Sequence, residues 1–68
     1  MSKRNLYLII YQKRGEFLPT NMYALTYASS KNVALNKAKK HFPDCWIKEI
    51  REDFDHNLIE NDPFVKQI

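Results

Sequence analysis

Apolar residues run unbroken through residues 6–11, LYLIIY, with Asn5 before them and Gln12, Lys13, Arg14 and Gly15 after. A run this short, rich in Leu, Ile and Tyr and apolar on both faces, predicts a β-strand at the centre of its sheet. Residues 13–21, KRGEFLPTN, carry Gly15, Pro19 and Asn21 and predict a connection longer than a tight hairpin turn. Residues 22–28 then set Tyr23, Leu25 and Tyr27 against Met22, Ala24, Thr26 and Ala28. That alternation predicts a second strand, paired antiparallel with the first.

The pattern next changes period. Ser29 or Ser30 offers a side-chain oxygen to cap a helix, and from Lys31 onward Ala34, Leu35, Ala38, His41 and Phe42 recur at helical spacing until Pro43 stops the run. The small Ala34 and Ala38 suit close approach to a sheet, with Asn36, Lys37 and Lys40 pointing outward. Residues 45–51, CWIKEIR, predict a third strand. A helical crossover between the second and third strands suits the order 2-1-3, the first strand lying antiparallel between both neighbours. The expected class is therefore α+β: a mainly antiparallel sheet of three or four strands with one helix packed on one face.

The remaining residues allow two arrangements that do not exclude each other. Asp55, His56 and Asn57 can turn a hairpin into a short fourth strand over residues 58–60, and Asp62 with Pro63 can begin one helical turn running to Ile68. Phe54, Leu58, Ile59, Phe64, Val65 and Ile68 are too many apolar residues for an idle tail, so part of it is expected to pack. One helix covers only one face of the sheet. If Ala28 faces the helix, Tyr23, Leu25 and Tyr27 lie on the far side, joined by either Tyr7, Ile9 and Tyr11 or Leu6, Leu8 and Ile10. That apolar second face needs a cover: the tail, a second copy of the chain or a partner.

Length limits this architecture to one small domain over residues 1–68, because 68 residues bury only about 60% of their unfolded surface. Hydrophobic residues make up 44% and charged residues 28%, the balance of a folded chain rather than a disordered one. The net charge is +3, unevenly spread: residues 1–51 hold ten Lys and Arg against three acids, and residues 52–68 hold Lys66 against five acids. A basic body is followed by an acidic tail. Such a body attracts phosphates or acidic protein surfaces. Its densest positive region is Lys31, Lys37, Lys39 and Lys40, with Lys3, Arg4, Lys13 and Arg14 flanking the first strand.

Cys45 is the single cysteine, so no intramolecular disulfide forms and a reducing cytoplasm is the expected compartment. The apolar run of residues 6–11 is too short for a signal segment or a membrane span, so no membrane association is expected. Catalytic and cofactor chemistry finds little footing. One glycine cannot build a phosphate loop. Asp53, Asp55 and Asn57 imitate the start of a calcium loop, but Leu58 stands where its turn needs glycine and Phe64 where it needs a bidentate acid. His41, Cys45 and His56 match no closed zinc spacing, and Cys45 with His41 lacks a third group to orient a base. The chain is expected to bind rather than catalyse, with no cofactor and no metal.

Over roughly residues 5 to 52, the order of strand, Ala-x-Ser helix start, Ala-Leu helix, proline and strand in YALTYASSKNVALNKAKKHFPDCWIKEIRE resembles small phage-encoded proteins. In layout and length it is similar to the short podophage inhibitors of bacterial RNA polymerase. The resemblance implies a non-enzymatic viral accessory protein in the host cytoplasm, docking on a host complex through arginines of the last strand. Arg51 falls at such a position; Glu49 occupies the neighbouring same-face position, and the helix is basic where that family's is acidic. The expected partner contacts are Lys37, Lys40, Lys48 and Arg51. Two further functions stay open: a nucleic-acid-binding module using the helix lysines with Tyr23 and Tyr27 as sheet-face contacts, and a structural homo-oligomer hiding the second face. The chain is expected to be a monomer or a homodimer.

Overall fold

The computed structural model describes residues 5–68. In chain order the elements are β1 (Asn5–Lys13), β2 (Met22–Ala28), α1 (Lys31–His41), β3 (Cys45–Arg51), α2 (His56–Glu60) and β4 (Lys66–Gln67). The fold is α+β, with a four-stranded mixed sheet in the order β3-β1-β2-β4. Within it β1 is flanked by β2 and β3, both antiparallel to it, and β4 adds a parallel strand outside β2. The central place of β1 follows from its composition, since only a strand covered on both faces tolerates apolar residues at consecutive positions.

Ser30 takes the cap of α1, its Oγ accepting a 3.3 Å hydrogen bond from the Val33 N–H. Lys39, Lys40 and His41 occupy the last turn, where cations suit the helix dipole. The Phe42 N–H still donates to the Ala38 carbonyl, and Pro43 bars continuation. Ala34 and Ala38 have no exposed surface, and α1 lies directly on the sheet through them. Tyr7, Ile9, Tyr11, Ala24, Ala28 and Ile50 complete that core, and the Tyr11 ring stacks on Phe42 at 4.0 Å between centroids.

The far face is lined by Leu6, Leu8 and Leu25, with Ile10 beside them. Of the two sets that β1 could place there, it is the one with Leu6, Leu8 and Ile10. The tail covers it: Phe54, Ile59 and Val65 pack against that leucine cluster. The chain then rounds the edge of β2, and Ile68 packs into the core on the helix side. The tail therefore ties the two faces together.

Two details of the tail differ from the sequence expectation. Residues 58–60 lie in helix α2 rather than in a strand, because Asp55 acts as a helix cap: its Oδ1 accepts from the Leu58 N–H at 3.2 Å and its carbonyl from the Ile59 N–H. With the first-turn donors satisfied, the chain coils instead of reversing. Asp62 and Pro63 make a turn, not a helix start; Asp62 Oδ1 accepts from the Phe64 N–H and its carbonyl from the Val65 N–H. Lys66 and Gln67 then pair with Ala24 and Leu25, and the Ile68 N–H donates to the Leu25 carbonyl at 2.8 Å. The open backbone of β2 outcompetes a single isolated turn of helix, which is marginal in water.

Candidate functional site

The four cations expected to contact a partner do not converge. Lys37 is on the β2 side of α1, where its Nζ donates a 2.7 Å hydrogen bond to the Tyr27 carbonyl. Lys40, three residues on, shares that side of the helix and is exposed. Arg51 is on β3 opposite Leu8, so it projects from the far face, where its Nε is 3.8 Å from Glu49 Oε1. Lys48 stands apart from the other three. Ile10 is opposite Glu49 and Tyr11 opposite Ile47, so Lys48 is the extra residue of a β-bulge.

Around Lys48 the structure builds a site that the spacing of charges along the chain does not reveal. An open groove of about 780 Å³ runs between α1 and β3, lined by Leu35, Phe42, Pro43, Cys45 and Ile47, with Trp46 at its border. Arg14, Lys39 and Lys48 stand in its walls. A smaller furrow shares Leu35, Ile47 and Lys48 and extends the same cleft to Lys31 and Glu49. Three parts of the chain converge here: the loop after β1, α1 and β3. The Arg14 N–H donates to the Asp44 carbonyl at 3.0 Å, which pins the loop beside the start of β3. Among the described residues, neither Arg14, Lys31, Lys39 nor Lys48 takes part in an ion pair. Their charges are available to a ligand.

The outer edge of β3 borders this groove. The sheet ends there: β3 pairs with β1 on its inner side, and among the described residues no strand lies on its outer side. The opposite edge is closed. On β2, Ala24 and Leu25 pair with β4, the Leu25 carbonyl receives the Ile68 N–H, and the Tyr27 carbonyl receives Lys37. Thr26, with no exposed surface, donates from Oγ1 to the Ile68 carbonyl at 3.3 Å.

Tyr23 and Tyr27 are partly exposed on the far face. Tyr23 is opposite Ile10, and Tyr27 opens into a crevice against Ile59 and Glu60 of the tail. They and the α1 lysines lie on opposite sides of the sheet, so a single nucleic-acid strand meets both only by crossing a sheet edge. Trp46, opposite Gln12 and 52% exposed, is the largest aromatic left uncovered on the far face. The alternation at the start of CWIKEIR signals it, since Cys45 and Ile47 face the helix and leave Trp46 on the other side; the bulge at Lys48 then brings Ile50 back to the helix side. Phe17 and Leu18 in the loop between β1 and β2 are also exposed.

His41, Cys45 and His56 are not gathered into a site. Cys45 lies in the helix-side core, while His56 stacks on Phe54 at 4.3 Å and has its Nδ1 3.9 Å from Glu60 Oε1 on the tail. Among the described residues no three metal-ligating side chains are grouped, and no helix is long and apolar enough to cross a membrane. Comparison with protein-family models, with curated proteins and with solved structures finds no match.

Proposed function

We propose that this protein is a non-enzymatic accessory module that docks on an acidic surface of a larger assembly, through the flank formed by α1 and β3. The observation that carries the proposal is the groove in which Arg14, Lys39 and Lys48 stand unpaired above an apolar floor. Apolar floor supplies contact area, and unpaired cations supply attraction and orientation. The phage-inhibitor resemblance of residues 5–52 names the class of assembly: a host machine such as bacterial RNA polymerase.

The experiment measures binding of the full chain to purified bacterial RNA polymerase, and to single- and double-stranded nucleic acids, at low and high salt. The expected outcome is polymerase binding that weakens with salt and with the double charge reversal Lys39→Glu/Lys48→Glu, and is little changed by Lys37→Glu/Lys40→Glu on the other side of the helix. Polymerase binding indifferent to Lys39 and Lys48 overturns the placement of the contact. A salt-dependent shift of nucleic acid without polymerase binding replaces the proposal with a nucleic-acid module, and a concentration-dependent dimer in sedimentation that binds neither replaces it with a self-assembling one.

A further inference from the structure

Resting on that reading, we propose that the outer edge of β3 receives an extended acidic segment of the partner as an added strand, with the segment's carboxylates lying along the α1 side of the sheet. Main-chain hydrogen bonds to an open edge give such a complex its affinity, and alternate side chains give it specificity.

Three observations converge on this edge. First, the sheet has one open side among the described residues. The backbone of β2 is taken up by β4, Ile68 and Lys37, whereas β3 (Cys45–Arg51) has no strand on its outer side, where alternate residues turn their main-chain groups outward and only the Cys45 N–H is already bonded, to the Phe42 carbonyl. Second, the cleft alongside that edge is cationic. An added strand sends every second side chain to the helix side, into the cleft where Lys31, Lys39 and Lys48 stand without ion-pair partners, the one carboxylate of its lining, Glu49, being 3.8 Å from Arg51. The intervening side chains fall on the other face, beside the exposed Trp46. The complementary sequence alternates acidic and apolar residues.

Third, the edge carries the features that deter indiscriminate pairing. A lysine at the middle of an edge strand repels basic strands, and a bulge there twists the edge away from flat stacking. Here both fall at Lys48. The same charge rejects a second copy of the chain, because an antiparallel β3–β3 pair gathers two sets of these lysines into one cleft. An acidic strand turns that repulsion into attraction.

The test is a titration of the full chain with a synthetic heptapeptide of alternating Glu and Val, and with the same peptide N-methylated at every second residue to remove main-chain donors. Affinity and amide hydrogen exchange are both read. The unmethylated peptide is expected to slow exchange in residues 45–51 and to bind at least about tenfold more tightly than the methylated one, since several main-chain hydrogen bonds are at stake. Lys39→Glu/Lys48→Glu is expected to weaken it about tenfold, and the milder Lys39→Gln/Lys48→Gln by less. The exchange pattern of each free variant verifies that it is folded.

Equal affinity for the two peptides means attraction by charge alone, which overturns strand addition and leaves docking on an acidic surface standing. Protection confined to residues 22–28, or no binding at all, also overturns it. A dimer in sedimentation that the peptide does not dissociate places a second copy on the edge and has the same consequence.

Discussion

The Lys37 ammonium donates a 2.7 Å hydrogen bond to the Tyr27 carbonyl, so a helix lysine closes the part of β2 that β4 does not reach. A charge that reads as partner-facing in the sequence is an edge cover in the fold. Lys37→Met keeps most of the aliphatic stem and removes the donor. It is expected to cost about 0.5–1 kcal/mol in urea denaturation, with faster amide exchange near Tyr27. Unchanged exchange there would show that the bond does not hold the edge.

Ala38 has no exposed surface where α1 meets the sheet and lies within the helix-side core. Ala38→Leu is expected to lift the helix and cost about 1–3 kcal/mol by overpacking. Val33, more than a third exposed on the same helix, provides the contrast: Val33→Ala is expected to stay within about 0.5 kcal/mol of the wild type. Thermal unfolding of the two variants side by side makes the comparison.

Ser30 and Asp55 do the same chemistry at helices of very different length, eleven residues for α1 and five for α2. Ser30→Ala is expected to lower global stability by about 1 kcal/mol. Asp55→Ala acts locally. It is expected to unwind α2, loosen Phe54 and Ile59 from Leu6, Leu8 and Leu25, and raise binding of a hydrophobic dye with little change in the denaturation midpoint. A large midpoint shift for Asp55→Ala would mean that the tail is part of the main cooperative unit.

Burial pushes the Tyr11 hydroxyl above its ordinary pKa of 10.0, with a smaller push from the neighbouring Cys45 thiol. Below that pH both folded and unfolded chains hold the proton, and the group does not affect stability. Above it the unfolded chain ionises first, so stability is lost as pH rises from the unfolded value toward the folded one. Tyr11→Phe removes this contribution. Its stability relative to wild type is expected to improve as pH rises through the ordinary tyrosine value of 10.0, and denaturation curves on either side of that pH measure the change.

The strands and the helix face of this fold are legible in the sequence because each reports a local cause. The alternation in residues 22–28 and 45–47 comes from burial on defined faces, the bulge at Lys48 breaking it later in β3, and Ser30 and Pro43 mark the helix through backbone hydrogen bonding. The tail is less legible. Asp55, His56 and Asn57 serve a hairpin turn or a helix cap equally well, and the choice depends on Phe54 and Ile59 finding Leu6, Leu8 and Leu25 far away in the chain. The groove is less legible still. Lys39 and Lys48 are visible as charges, but only the sheet order and the Arg14–Asp44 hydrogen bond bring Arg14 beside them. Counting lysines on α1 favours Lys37 and Lys40, whose side of the helix faces away from β3.

The contact between Thr26 and Ile68 joins residues 42 positions apart, whereas β1 and β2 meet across one connecting loop. Closing a longer stretch of chain loses more entropy before any contact compensates it, so distant pairings form late. The hairpin of β1 and β2 is therefore the early structure, β3 follows once α1 has brought it back across the sheet, and the tail docks last. If opening reverses that order, the tail leaves first, and Leu6, Leu8 and Leu25 are expected to be uncovered while the hairpin remains paired, giving this face a shorter closed lifetime than the face beneath α1.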